Sequence, residues 1–452
     1  MNTAKALTWA MLAAAGLAGC NPSSFNSALD QAPVVVFTPP GASTGSLFVL
    51  PLSPASEPGT TSAARMLVSR KDTAYLAVAD FDTNGKVTLS EAYSADFGGT
   101  PVISAAARPD GTILLGTPSA GGGALPGGRV STLSLSAAAG GGYDFFIQGG
   151  LQGGGAATRM GISVAAGNVT GPAAGDFVVV GDNTVHVVGP DGKTVLGSTS
   201  CLAVQLGSDD IYAYRPLAVG DLLLADGLDE IVLGAPGRVL FLQWDPASNS
   251  PVCPGPASPT SILTNAGIAS FGASLAVADF DGDAHLDLAV GAPQDMVFVY
   301  FGPLDDPLHN YFGPPESAPA PVLIRNSTIS GFGSSLASYQ VPGQKMAQLL
   351  VADPHGTADA GRPAAGRALL YAVTPASAVV TAVFFDSNED ADPGKFGEVI
   401  GGLMFNTGLC VPGGPVQIVP WASNGVDLLT FFNYPTTTLP AAMDPRCFSL
   451  KP

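Results

Sequence analysis

The sequence predicts an all-β fold of the β-propeller class, built from a repeated unit of four short antiparallel strands. Charged residues make up only 12% of the 452 residues, while the chain holds 57 Gly and 39 Pro, a composition typical of short strands and many turns. Phe-Gly or an equivalent pair recurs near positions 97, 160, 213, 271, 332 and 396, about sixty residues apart. A period of this length indicates repeat architecture.

Each repeat contains an apolar strand, a polar turn, a second apolar strand that ends in Gly-Ala-Pro or a variant, and a third strand. In the unit that begins at Phe271 these are "SLAVADF", "LDLAVGAP" and "MVFVYF". A less regular fourth segment, such as "PVLIRN", precedes the next Phe-Gly. Four antiparallel strands per unit are what a propeller blade requires. The aromatic and glycine residues are expected to serve the structure, as a wedge between sheets and as a turn where backbones crowd.

The first 20 residues predict export. One cation, Lys5, is followed by an apolar stretch over residues 6–17 and small residues before Cys20, which is the pattern of a signal peptide. "LAGC" at residues 17–20 resembles the bacterial lipobox, although an ordinary secretory signal that ends near a cysteine is the alternative. The resemblance implies a signal peptide at residues 1–19, a lipidated Cys20 that anchors the chain to a membrane, and a flexible tether up to residue 45. Asn21 after the cysteine implies the outer membrane of a Gram-negative bacterium.

The formal net charge of −18 limits the classes of partner. Such a surface repels nucleic acid and anionic lipid headgroups, and we find no basic cluster that would act as a local exception. Cations are the more natural partners. After residue 20 no apolar run reaches the roughly 18 to 20 residues needed to span a bilayer. We therefore expect no nucleic-acid partner and no integral helical membrane segment in the mature chain.

Four further cysteines are candidates for disulfide bonds. An even number of cysteines in an exported chain is typical of a disulfide framework. Pairing of nearest neighbours would join the first to the second and the third to the fourth, but three pairings are open. None of them has the close C-x-x-C spacing of a zinc site. The four residues are Cys201, Cys253, Cys410 and Cys447.

The repeats resemble the FG-GAP repeats of the integrin α-chain propeller and of many bacterial exported proteins. The resemblance covers roughly residues 74–434, is strongest from Tyr214 to Phe301 and is weak in the last unit. It implies a seven-bladed β-propeller over residues 46–452, with calcium in D-x-[DN]-x-D-x-x-x-D loops between the first two strands of some blades. Six units are clear, and "GSLFVL", "AARMLVS", "AYLAVADF" and "GKVTLSEAY" are expected to form a seventh or to lend a strand to the last. A ring of six blades would also close.

The loop at residues 279–287, within "ADFDGDAHLDLAVGAP", is the first candidate calcium site. Carboxylates stand at positions 1, 3, 5 and 9 of the pattern, and the carbonyl of His285 stands at position 7, so its imidazole is expected to point outward. A hard cation that takes six to eight oxygen ligands suits this density of carboxylates, whereas a solvated acidic turn is the alternative. The predicted ligands are Asp279, Asp281, Asp283, His285 and Asp287.

The second candidate calcium loop begins at Asp80, which puts its letters in register with the first loop. The predicted ligands are Asp80, Asp82, Asn84, the carbonyl of Lys86, and Thr88 in place of the closing Asp. The same letters satisfy an EF-hand pattern that ends at Glu91, but the flanking segments alternate like strands instead of helices. A polar hairpin turn is the further alternative. A third loop, residues 221–229, keeps three acids without the spacing of the pattern and is interpreted as degenerate.

These features favour a binding module over an enzyme. The four histidines lie in no recognisable nucleophile or zinc motif, and the chain has neither G-x-S-x-G nor G-x-x-x-x-G-K-[ST]. We expect a calcium-stabilised propeller at the cell surface or in the periplasm that binds or adheres through the loops of its faces to an unidentified protein or polysaccharide. Two alternatives stay open, an exported hydrolase or lyase with its site in the propeller channel, and a scaffold without a small ligand.

Overall fold

The computed structural model describes the strands of this chain and many of its turns. The described parts are residues 34–37, 47–52, 63–70, 73–81, 87–96, most of 102–384, and 399–406, 416–423 and 429–432. They form 29 β-strands, β1 to β29, and hold no helix. In the part of the chain so described, no helix has the length and apolarity to cross a bilayer. The all-β prediction is confirmed.

The strands pair into antiparallel sheets that follow one another along the chain. The first three sheets, blades 1 to 3, each contain four consecutive strands. Blade 1 contains β2 (Leu47–Leu52), β3 (Ala63–Arg70), β4 (Thr73–Phe81) and β5 (Val87–Asp96). Blade 2 contains β6 (Ser104–Ala107), β7 (Ile113–Thr117), β8 (Arg129–Ala137) and β9 (Tyr143–Gln152). Blade 3 contains β10 (Ser163–Gly167), β11 (Asp176–Val180), β12 (Thr184–Val188) and β13 (Val195–Ser200).

The next three sheets, blades 4 to 6, repeat this order, and in blade 4 the outer strand is divided into β17 and β18, which both pair with β16. Blade 4 contains β14 (Leu217–Gly220), β15 (Glu230–Ala235), β16 (Arg238–Asp245), β17 (Ser250–Val252) and β18 (Ile262–Thr264). Blade 5 contains β19 (Ser274–Ala278), β20 (Asp287–Ala292), β21 (Met296–Tyr300) and β22 (Val322–Arg325). Blade 6 contains β23 (Leu336–Gln340), β24 (Ala347–Asp353), β25 (Arg367–Thr374) and β26 (Ser377–Phe384).

Blade 7 joins the two ends of the described chain. It contains β27 (Val399–Asn406), β28 (Val416–Ser423), β29 (Leu429–Phe432) and, on its outer edge, β1 (Val34–Phe37). The antiparallel register sets Val34 opposite Phe432 and Phe37 opposite Leu429. Residues 34–37 were predicted to lie in a flexible tether that ends at residue 45. The propeller therefore starts earlier than predicted, because its closing strand comes from that segment.

The blades form a closed ring. The first strand of each blade lies against the first strand of the next, from β2 through β6, β10, β14, β19 and β23 to β27, and β27 lies against β2. Among the strands that the structure describes there are thus seven sheets in one cycle. The prediction of seven blades is confirmed, and the six-bladed alternative is wrong because the four segments before residue 97 form blade 1 by themselves.

The Phe-Gly and Gly-Ala-Pro residues meet at the seams between blades. Phe271 is fully buried in a core cluster that includes Val239 and Phe241 of blade 4. Its ring packs edge-on against Phe298 of its own blade, with centroids 5.3 Å apart. Gly291 of the Gly-Ala-Pro in blade 5 lies against the carbonyl of Gly333, which belongs to the next Phe-Gly, and the hydroxyl of Ser274 donates to that carbonyl at 2.6 Å. The pairs Gly116 with Gly161 and Gly234 with Gly272 make the same close approach. The structural role predicted for these motifs is confirmed.

Candidate metal centre

The acidic loop at residues 279–287 connects β19 to β20, the first two strands of blade 5, as the sequence predicts. Two left-handed residues curl it, Gly282 with φ +86° and Ala284 with φ +76°. Their amides consequently point at the first acid of the loop. The Gly282 N–H donates to Oδ1 of Asp279 at 2.6 Å, and the Ala284 N–H donates to Oδ2 at 3.0 Å. Asp279 is therefore held in place by the backbone of its own loop.

Three carboxylates converge in this loop. Each of Asp279, Asp281 and Asp283 offers an oxygen, and the three oxygens lie within 4.8 Å of one another. Burial raises the pKa of the Asp281 carboxyl, and the charges of Asp283 and Asp279 raise it further. In the residues that the structure describes, this is the single group of three such side chains. Converging carboxylate oxygens are the donors that a hard divalent cation prefers, so the donor set fits calcium.

His285 stays at the surface of the loop. Its ring Nδ1 lies 3.2 Å from Oδ2 of Asp283, and both side chains are roughly 40% exposed. Its backbone N–H donates to Oδ1 of Asp283 at 2.8 Å. The imidazole thus packs along the outer side of an acid of the group. The role predicted for its carbonyl, at position 7 of the pattern, stays a prediction.

Asp287 is fully buried, and its carboxylate braces the loop by accepting two backbone hydrogen bonds. Its Oδ2 accepts the Phe280 N–H at 2.6 Å and its Oδ1 accepts the Gly302 N–H at 2.9 Å. Burial raises the pKa of this carboxyl to about 7, against the lowering effect of the two hydrogen bonds, and the charges of Asp281 and Asp283 raise it as well. Asp287 lies outside the group of three. Its oxygens tie the acidic loop to the end of β21, a role that the sequence did not reveal.

The two preceding blades contain the same brace. Asp176, the first residue of β11, accepts the N–H and the hydroxyl of Thr170, each at 2.8 Å. Glu230, the first residue of β15, accepts the N–H groups of Leu222 and Leu223, each at 2.9 Å. Both acids are buried. Sequence analysis missed them, although an acid at the first position of the second strand is the signal that all three blades share.

The three acids of the blade 4 loop point in different directions. Oδ2 of Asp221 accepts the Gly227 N–H at 2.9 Å, and Asp226 caps its own turn. Asp229 reaches into blade 3, where its Oδ2 accepts the Asn168 N–H at 2.6 Å. Each of these three carboxylates is therefore used separately, unlike the converging acids of the blade 5 loop. The interpretation of this loop as degenerate stays a prediction.

The Asp80 loop lies elsewhere in its blade than expected. It connects β4 to β5, the third and fourth strands of blade 1, whereas the 279–287 loop connects a first strand to a second. Asp80 and Thr88 are opposite each other in the ladder of these two strands. The two loops therefore align in sequence but occupy different positions in their blades. Asp82, Asn84 and Lys86 lie outside the described residues, and calcium binding here stays a prediction.

One of the candidate cysteines can be described. Cys253 forms a disulfide bond and follows directly after β17 at the outer edge of blade 4. Its Sγ lies 3.4 Å from the hydroxyl of Thr199, which belongs to the outer strand of blade 3. Cys201, Cys410 and Cys447 lie outside the described residues, as does Cys20, whose lipidation stays a prediction.

Comparison with known proteins identifies the repeat that holds the acidic loop. Residues 271–304 match the FG-GAP repeat family. No curated protein is similar to the chain in sequence. Among the solved structures that are similar in fold are two of BBS1N in complex with ARL6DN. The one soaked with lead has a TM-score of 0.45 at 12% identity and covers 88% of this chain and 94% of its own. The one soaked with mercury has a TM-score of 0.47 at 12% identity and covers 90% of this chain and 97% of its own.

The matched residues run from Phe271 through β19, β20 and β21 to Leu304. They include the buried aromatic residue of the seam, the acidic loop and the Gly-Ala-Pro. This protein therefore contains an FG-GAP repeat, which forms the first three strands of blade 5 in a seven-bladed β-propeller.

Proposed function

We propose that this protein is a calcium-stabilised binding module, attached by a lipid to the outer membrane of a Gram-negative bacterium. The fold itself, an FG-GAP propeller, is typical of binding and scaffold modules. The observation that carries the proposal is the convergence of Asp279, Asp281 and Asp283 in the one loop of a matched FG-GAP repeat.

The calcium part of the proposal rests on charge. Three carboxylates within 4.8 Å repel one another, and the raised pKa of Asp281 reflects burial and this repulsion. A bound Ca²⁺ would supply two positive charges among them. Asp279, Asp281 and Asp283 would hold the ion, with the predicted His285 carbonyl and Asp287 as further ligands. The loop would then be ordered without the cost of crowded negative charge.

The binding part rests on the position of the loops. In a blade of four antiparallel strands, the turns after the first and the third strand lie on the same face of the propeller. The exposed acid Asp226 lies on this face in blade 4, and the proposed calcium loop lies on it in blade 5. Loops on a rigid scaffold are the usual place of binding residues. The proposed ligand is a protein or a polysaccharide that meets this face, and the negative charge favours cationic groups on it.

The export part rests on the cysteines. A disulfide at Cys253 is typical of proteins that fold in an oxidising compartment, such as the periplasm or the cell surface. It agrees with the export signal and with the lipobox that ends at Cys20. A lipid on Cys20 would fix the propeller to the membrane through the residues before β1. Most of residues 21–33 would then be the tether.

A thermal melt with calcium and with a chelator tests the metal. We expect calcium at ten times its Kd, which is in the millimolar range or below for extracellular modules, to raise the melting temperature by roughly 2 °C. The Asp281→Asn, Asp283→Asn double variant should lose this rise. The matched control, Asp191→Asn with Asp245→Asn, removes the same charge from two exposed turns and should keep it. A wild-type melting temperature that does not change on addition of calcium would overturn the proposed metal site.

A further inference from the structure

The seam between blades 5 and 6 has two ends, and the acidic loop closes one of them. At one end Gly291 lies against Gly333, as described above. At the other end, the carbonyl of Asp279 accepts the N–H of Ala347, the first residue of β24, at 2.7 Å. Ala347 is only 1% exposed, so water does not compete for this bond. The first candidate ligand of the loop is thus bonded to the neighbouring blade through its own backbone.

The turn of the acidic loop touches the same neighbour. Gly282 packs so closely on Met346 that a Cβ at Gly282 would lie 2.7 Å from Cγ of Met346 and 3.7 Å from Cβ of Lys345. The left-handed Gly282, which helps to curl the loop, therefore also forms its contact with the residues before β24. A change in the order of the loop has to change this contact.

The seam between blades 3 and 4 has two hydrogen bonds at the corresponding end, and we call this pair of bonds a clasp. There the residue after the first strand, Asn168, exchanges two hydrogen bonds with Asp229 of the next blade. Its carbonyl accepts the Asp229 N–H at 3.1 Å, and its N–H donates to Oδ2 of Asp229 at 2.6 Å. In the 5–6 seam the donor is Ala347, whose side chain has no carboxylate to accept a second bond. This end of the 5–6 seam therefore has one of the two bonds of the 3–4 seam.

We infer that metal binding at residues 279–283 completes this clasp, so that the ion holds blade 5 to blade 6 as well as ordering its own loop. The inference rests on the proposed calcium site. With the ion bound, Asp279 and Gly282 are fixed, and the bond to Ala347 and the contact with Met346 are fixed with them. Opening of the seam at this end then requires loss of the ion. In the 3–4 seam the Asp229 carboxylate accepts the second hydrogen bond, so this clasp is complete without a metal.

Hydrogen exchange with calcium chloride or chelator tests the clasp. If opening of the seam requires release of the ion, calcium at ten times its Kd slows exchange of the Ala347 amide by about elevenfold. Amide exchange in β11 of blade 3, whose loop lacks converging acids, should slow only by the amount that follows from the effect of calcium on the global stability. A melting temperature that rises with calcium while Ala347 exchange stays the same overturns the clasp and leaves the calcium site standing. No effect of calcium on either measurement overturns both.

Two variants at Ala347 separate the hydrogen bond from the fold. Ala347→Pro removes the N–H donor at the first residue of a strand, where proline is tolerated, and Ala347→Gly keeps the donor. We expect the calcium-dependent slowing over residues 348–351 to disappear in the proline variant and to persist in the glycine variant. Calcium affinity, measured by titration calorimetry, should be weaker in the proline variant than in the glycine variant, because an ion that holds the seam closed binds less tightly when the bond across the seam is lost. A proline variant that keeps the slowing overturns the clasp.

Discussion

Gly291 lies so close to the carbonyl oxygen of Gly333 that a Cβ at Gly291 would overlap it. The two glycines belong to different blades, and the hydroxyl of Ser274 donates to the same carbonyl. Backbone therefore meets backbone across the seam, and the Gly333 carbonyl would block a methyl group even if the nearby Ser274 hydroxyl rotated away. The same contact recurs at Gly116 and at Gly234, which explains why glycine stands at this place in three of the repeats.

Gly291→Ala is expected to lower the free energy of unfolding by about 1 to 3 kcal/mol, as overpacking of a close contact does. Denaturant titration followed by tryptophan fluorescence measures the midpoint. Gly171→Ala is the control, because no atom lies within 4 Å of a Cβ at Gly171. Equal midpoints for the two variants would show that the seam yields to a methyl group.

Glu230→Gln is expected to remove a pH dependence of stability. Burial raises the pKa of Glu230 to about 7, well above its value in the unfolded chain. The folded state therefore holds this proton more tightly, and the resulting stability is complete below about pH 4.5 and disappears as the pH rises through 7. The loss amounts to about 3 kcal/mol. The variant keeps an oxygen for the Leu222 and Leu223 amides, so melts between pH 4.5 and 8 should show a smaller slope than the wild type.

The control for Glu230→Gln is a substitution of an exposed acid in blade 3. Asp191→Asn, which changes an exposed acid in a turn that Lys193 and Thr194 share, should leave the difference in melting temperature between pH 5 and pH 7.5 as it is in the wild type. If Glu230→Gln and Asp191→Asn give the same slope, Glu230 is not the group that titrates.

The disulfide partner of Cys253 is expected to be Cys201. Thr199, which is two residues before Cys201, contacts the Cys253 sulfur at 3.4 Å. The bond would join the outer edges of blades 3 and 4. Closing a loop of this length lowers the chain entropy of the unfolded state, which would stabilise the folded protein by about 4 kcal/mol. Peptide mapping without reductant should yield a linked pair that contains Cys201 and Cys253. Linkage of Cys253 to Cys410 or Cys447 would contradict the assignment.

Cys20→Ser is expected to release the protein from the membrane. A lipid on Cys20 is the one membrane anchor that the sequence predicts, so fractionation of cells should move the variant to the soluble fraction. Asn21→Asp is the matched variant, because it keeps the cysteine and is expected to redirect the protein to the inner membrane. A Cys20→Ser protein that stays wholly in the outer membrane would rule out this anchor.

The repeated residues made most of the fold predictable. Phe271 and Gly291 recur because each blade needs the same wedge and the same close contact, so their period follows the blades. The closing strand β1 could not be found in this way, because Val34–Phe37 pairs with Leu429–Phe432 at the far end of the chain and four apolar residues by themselves indicate no partner. Only the ring geometry requires such a strand.

The acidic site was predicted in part for a similar reason. Asp279, Asp281 and Asp283 alternate along one tight loop, so their spacing in the sequence is enough to predict that their side chains converge. Asp287 has the right spacing too, yet its surroundings come from Gly302 on another turn, and spacing along one loop carries no information about that turn. The braces Asp176 and Glu230 were missed because neither belongs to a metal-binding pattern in the sequence. Their common position becomes visible only when the strands are aligned by blade.

The pairing of β1 with β29 has a consequence for the order in which the protein can fold. The strand that completes blade 7 is the first to be made, and its partner follows roughly 390 residues later. Because the protein is proposed to fold after export, Val34–Phe37 can pair only when Leu429–Phe432 has been exported as well. Until then the ring has an open edge, which other chains can meet. A chaperone that covers the N-terminal segment in the compartment of folding would therefore raise the yield of closed rings.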